Sequence, residues 1–73
     1  MSPERIKAQF GRNLAEARGW AGLTQAELAE QTSVRRIEIG RYETGMRCPP
    51  LDRVVRLAEV LGLQVRDLLF EIE

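Results

Sequence analysis

The 73-residue chain contains no histidine and a single cysteine, Cys48. One thiol rules out an intrachain disulfide, and one thiol without an imidazole cannot assemble an ordinary zinc site, so neither a metal nor a cofactor is expected. There is no glycine-rich phosphate loop and no nucleophile beside a base, which argues against an enzyme and against a small-molecule substrate. No apolar run approaches the roughly 20 residues that cross a bilayer, so no membrane association is expected. The opening Met1-Ser2-Pro3-Glu4 lacks the basic-then-apolar layout of a signal peptide, and a reducing cytoplasm is the expected location. Net charge is absent as well, with 11 basic residues against 11 acidic ones.

That neutrality is unevenly spread. Residues 35–56 hold six arginines, at 35, 36, 41, 47, 53 and 56, against Glu38, Glu43 and Asp52. Residues 57–73 hold Arg66 against Glu59, Asp67, Glu71 and Glu73. A molecule polarised in this way can present a basic face despite a zero sum. The length allows one domain, expected over residues 1–73. A domain this short buries only about 60% of its unfolded surface, so its stability margin is thin and a dimer partner would help.

Five helical segments and no strand are predicted, which makes the fold all-α. The first runs from about Pro3 to Arg18, capped by Ser2 and stopped by Gly19, with Ile6, Phe10, Leu14 and Ala17 in one apolar stripe. Thr24-Gln25-Ala26-Glu27 has the form of a capping box, with Leu23 and Leu28 placed as a hydrophobic staple. The second helix therefore starts at Thr24 and ends near Gln31. A tight Thr32-Ser33-Val34 connection leads to a third helix over about 36–44, followed by Gly45. Pro49-Pro50 breaks the chain before a fourth helix, Leu51 to Leu61, in which Leu51, Val54, Leu57, Ala58 and Leu61 are expected to face inward. Gly62 ends it, and a short fifth helix covers about Val65 to Phe70.

Two short helices joined by a three- or four-residue turn form the unit that places a helix in the major groove of DNA, about 12 Å wide. That unit spans about residues 24–44. In the third helix, Ile39 and Tyr42 turn inward with Val34, whereas Arg36, Ile37, Gly40 and Arg41 share an outer face through steps of three and four. Arginine can pair with guanine O6 and N7, an isoleucine can touch a thymine methyl, and Gly40 allows close backbone approach. Arg35, adjoining the start of this helix, joins the expected base-contacting set.

Leu23-Thr24-Gln25-Ala26-Glu27-Leu28-Ala29-Glu30, Val34, Ile39, Glu43-x-Gly45, Pro49-x-Leu51 and Leu57-Ala58-x-x-Leu61-Gly62 occur in that order over about residues 6–70. In this the chain resembles the lambda repressor/Cro (XRE-like) family of helix-turn-helix domains. The resemblance implies a compact five-helix domain that binds double-stranded operator DNA, usually as a homodimer on a palindromic site, and acts in transcriptional regulation. It implies that Arg36, Ile37 and Arg41 lie at base-reading positions, that Gln25 and Arg47 touch phosphates, and that Arg18 and Glu43 form a partly buried salt bridge. Three positions depart from the pattern: Ser33 replaces the usual turn glycine, and Arg35 and Pro50 replace the usual caps of the third and fourth helices.

Two other readings remain open at this level. One is a DNA-binding antitoxin or a controller protein of a restriction–modification system. The other is a protein-interaction module that keeps the fold without binding DNA. Trp20 is expected to pack, Arg53 and Arg56 to be plain surface residues, and Cys48 to be incidental. Val60, Leu63, Phe70 and Ile72 exceed the needs of the core and suggest a dimer interface in the C-terminal third.

Overall fold

The computed structural model describes residues 2–70. Among these, five α-helices account for all the regular structure: α1 Pro3–Trp20, α2 Gln25–Thr32, α3 Arg36–Glu43, α4 Leu51–Leu61 and α5 Val65–Leu69. None is long and apolar enough to cross a membrane.

Each helix end has a local cause. Ser2 Oγ accepts from Arg5 N at the start of α1, and Pro3 occupies the first turn, where its missing N–H costs nothing. α1 runs through Gly19, the expected stop, to Trp20. The termination signal is Gly22 instead: at φ +72° it lets Leu23 N reach Arg18 O (3.1 Å) and Gly22 N reach Gly19 O (3.0 Å). The capping box of α2 forms with Thr24 N donating to Glu27 Oε1 (2.8 Å) and Glu27 N donating to Thr24 Oγ1 (3.0 Å). These bonds hold the Glu27 carboxyl below the usual carboxylate range, the backbone bond having the larger influence.

α2 and α4 end alike, in a left-handed residue. Gly62 has φ +70° and Ser33 has φ +58°; Leu63 N then donates to Ala58 O (2.9 Å) and Val34 N to Ala29 O (3.0 Å). Only Ser33 carries a side chain in this conformation, at a cost of about 1 kcal/mol. Ser33→Gly is therefore expected to raise the melting temperature by about 4–8 °C in a domain of this size, measured by circular dichroism. No change, or a fall, would mean that the turn is not strained.

Phe10, Leu14, Leu28, Ile39, Leu57 and Leu68 are fully buried and Tyr42 is 1% exposed, so every helix contributes to one core. The Tyr42 and Phe10 rings meet edge to face at 6.5 Å. α1 packs on α3 and α5, α2 on α3 and α4, and α4 on α5. The α1–α3 crossing is closest at Gly11, where an added Cβ would stand 2.3 Å from Tyr42 O and 2.7 Å from Glu43 O. Asn13 Nδ2 closes the far end by donating to Leu68 O (3.1 Å) and Phe70 O (2.9 Å).

Several expectations from periodicity need correction. Leu51 is 73% exposed, because it is the first residue of α4 and precedes Val54, where the buried part of that helix begins. Trp20 is 89% exposed at the C-terminal end of α1, although Ala17 in the same turn packs on the core. Ile6 is 36% exposed, whereas Phe10 and Leu14 of the same α1 stripe are fully buried. Val60 and Leu63 pack against the core and are not surplus, whereas Phe70 is exposed. Ile72 lies outside the described residues.

Candidate nucleic-acid interface

The α2–turn–α3 unit is fixed from within. Ile39 and Tyr42 anchor α3, Val34 fills the turn, and the buried Thr32 satisfies its hydroxyl on Leu28 O at 2.7 Å. With one face of α3 spent on the core, its other face is left for a partner. Arg35, Arg36 and Ile37 are exposed at the N-terminal end of α3, Ile37 at 53%. Arg36 is the first helical residue, and Arg35 precedes it as a cap residue without a side-chain bond. Its guanidinium can only donate, so it cannot accept from the free N–H groups of the first turn and is left to point outward.

The remaining expected site residues have neighbours within the protein. Arg41 is half-buried and donates from Nη1 to Glu38 Oε1 at 3.2 Å. The space left by the missing Cβ of Gly40 faces Gln25 Oε1 at 4.0 Å, so this glycine also makes room for α2. Gln25 donates from Nε2 to Glu43 Oε1 at 2.9 Å. Arg47 is exposed in the loop after α3.

Arg18 and Glu43 form a forked ion pair: Arg18 Nε donates to Glu43 Oε2 (2.6 Å) and Nη2 to Oε1 (3.1 Å), while Nη1 donates to Leu23 O (2.9 Å). The Glu43 side chain is only 7% exposed. Its hydrogen bond keeps the Arg18 guanidinium pKa above the ordinary value despite partial burial. The C-terminus of α3 is thereby tied to the end of α1, to the loop before α2, and through Gln25 to α2.

A second network was not apparent in the sequence. Glu38 Oε2 lies 3.7 Å from Arg53 Nη1 and 3.5 Å from the Tyr42 hydroxyl, which itself accepts from Arg53 Nη1 at 2.8 Å. The i,i+3 spacing of Glu38 and Arg41 was the one available signal; the contact from α4 had none.

A helix-turn-helix family model (HTH_3) matches residues 14–68. The restriction–modification controller protein C.AhdI from Aeromonas hydrophila has a similar structure, with a TM-score of 0.81 and 34% identity, covering 85% of this chain and 94% of that one. The DNA-binding domain of BldD superposes with a TM-score of 0.81 at 30% identity, covering 96% of this chain and all of that one. Multiprotein-bridging factor 1 of Eremothecium gossypii is 29% identical over 66 residues, and the chain spans 43% of its length.

Proposed function

The chain belongs to the helix-turn-helix family HTH_3, and from that premise we propose that it is a sequence-specific double-stranded DNA-binding protein acting as a transcriptional regulator. The observation that carries this reading is the outer face of α3, where Arg35, Arg36 and Ile37 stand exposed on a helix whose opposite face is locked into the core. In this reading α3 enters the major groove. Arg35, Arg36 and Arg41 offer guanidinium groups to base edges, Ile37 offers a methyl contact, and Gly40 lets the backbone approach. Gln25, at the first turn of α2, and Arg47 meet the phosphates on either side. The chemistry is recognition, so the chain is read as a non-enzymatic single domain working in the cytoplasm.

The working unit is proposed to be a homodimer on a palindromic operator, because one recognition helix reads only a few base pairs. Support comes from Leu51 and Val55, 73% and 41% exposed and four residues apart on one face of α4, and from Phe70 at 57%. The likeness to C.AhdI over 94% of its length favours, within this class, a controller protein of a restriction–modification system.

Arg36→Ala is expected to weaken the preferred site by about 1–3 kcal/mol and to relax base preference at one position. Arg47→Ala should weaken all duplexes alike and make the salt dependence shallower by about one unit. Titrations of a preferred and a scrambled duplex at several salt concentrations check both. Wild-type affinity and selectivity in Arg36→Ala would contradict the assignment.

A further inference from the structure

α3 carries two carboxylates. Glu43 is committed to Arg18 and Gln25. Glu38 stands beside the candidate base-reading arginines and yet is nearly enclosed, its side chain 13% exposed. An exposed i,i+3 pair on a helix is loose and easily screened. Glu38 is anchored more firmly, because its second oxygen faces Arg53 and the hydroxyl of the buried Tyr42, and Arg53 is itself hydrogen-bonded to that hydroxyl. The carboxylate therefore joins the recognition helix to α4 and holds Arg41 from below. By contrast, Arg35 and Arg36 make no ion pair with any of the described residues.

We propose that Glu38 is a specificity-determining positioning residue of the DNA interface: it fixes the orientation of Arg41 and offsets its charge, so that Arg41 reads a base edge and is not captured by the nearest phosphate. The proposal rests on the DNA-binding reading above. An unpaired arginine is drawn to any phosphate, and that attraction carries no sequence information. A guanidinium held at one nitrogen by a fixed carboxylate keeps its other N–H donors for guanine O6 and N7. Much of its rotamer freedom is already lost before binding. A carboxylate at this depth also repels a phosphate that comes too close, which opposes misplaced docking.

The test measures Kd for a preferred duplex and for a scrambled duplex of equal length across a salt series, with wild type, Glu38→Gln, Arg41→Ala and the double variant. Glu38→Gln should bind scrambled DNA more tightly, with a salt dependence steeper by about one unit. Its preferred-to-scrambled ratio should fall about tenfold. In the Arg41→Ala background, Glu38→Gln should leave the ratio unchanged. An equal shift on both duplexes, or the same fall in ratio without Arg41, overturns the proposal and leaves DNA binding intact; a wild type that binds neither duplex overturns both. Should Glu38→Gln fail to fold, Glu38→Asp decides. It keeps the charge but cannot span Arg41 and Arg53, so the ratio should fall, and an unchanged ratio overturns the proposal.

Discussion

Replacing Gly11 by alanine is expected to lower the melting temperature by at least about 12 °C. The added Cβ would stand 2.3 Å from Tyr42 O and 2.7 Å from Glu43 O. Both are backbone atoms at the last turn of α3, and no rotamer change can relieve the clash. α1 must move off α3, opening the Phe10–Tyr42 contact and lengthening the Arg18–Glu43 pair together. Overpacking that displaces backbone costs about 3 kcal/mol or more. A 73-residue domain has about 4–11 kcal/mol in total. Gly19→Ala is the internal control, since its added Cβ would meet nothing from the rest of the fold within 4 Å. Alanine there replaces a glycine in the last turn of α1 and should stabilise the fold slightly, by less than the mid-helix value of about 0.5–1 kcal/mol. Thermal melts of the two variants should therefore move in opposite directions. A Gly11→Ala melt within about 3 °C of wild type would show that the crossing is looser than described.

The second large effect is expected at the Arg18–Glu43 pair. Arg18→Met leaves the Glu43 carboxylate, 7% exposed, with Gln25 as its remaining side-chain donor. Breaking a pair of this kind from one side costs about 3 kcal/mol, much of it the burden of an enclosed charge without its counter-charge. The double variant Arg18→Met with Glu43→Leu removes both charges and restores apolar volume, so it should be more stable than Arg18→Met alone. A double-mutant cycle on chemical denaturation should give a coupling of about 0.5–3 kcal/mol. Additive losses would show that the two groups act independently. Because this pair joins α1, the α1–α2 loop and α3, Arg18→Met should also weaken DNA binding beyond its effect on stability.

The parts of this molecule that could be read from sequence were those set by local chemistry. The capping box at Thr24 fixed the start of α2, Pro49-Pro50 and Gly62 bounded α4, and the alternation of Ile39 and Tyr42 against Arg36 and Ile37 sorted the faces of α3. Errors arose where a residue's role depends on distant partners. Gly19 and Gly22 are equivalent as letters; only Gly22 adopts the left-handed conformation that ends α1. Leu51 fits the apolar period of α4, but periodicity does not say where the neighbouring helices stop, and it is exposed. Trp20 is exposed although Ala17 and Arg18 of the same turn are engaged with the rest of the fold. Gly11 showed no special signal, since its importance comes from carbonyl groups more than 30 residues away in the chain. In the candidate interface, Arg36 and Ile37 were legible as a helix face. The Glu38–Arg53–Tyr42 network was not, because it depends on one side chain of α4 reaching across to α3.

Neutral overall charge is compatible with a DNA-binding surface here because the charges are segregated. The arginines concentrate between residues 35 and 56, and the acidic excess follows them. Long-range attraction to DNA is then expected to be modest, and in the proposed function selectivity falls to the few oriented groups of α3 more than to bulk charge.

The most direct measurement is a selection of bound duplexes from a fully random library by the wild-type chain at moderate salt. Enrichment of a twofold-symmetric sequence is expected, with half-sites about 34 Å apart, one turn of DNA. Base preference within each half-site should relax when Arg36 or Arg41 is replaced by alanine. A pool that remains random through successive rounds would contradict sequence-specific recognition by α3, and so would enrichment of a motif that is indifferent to both arginines.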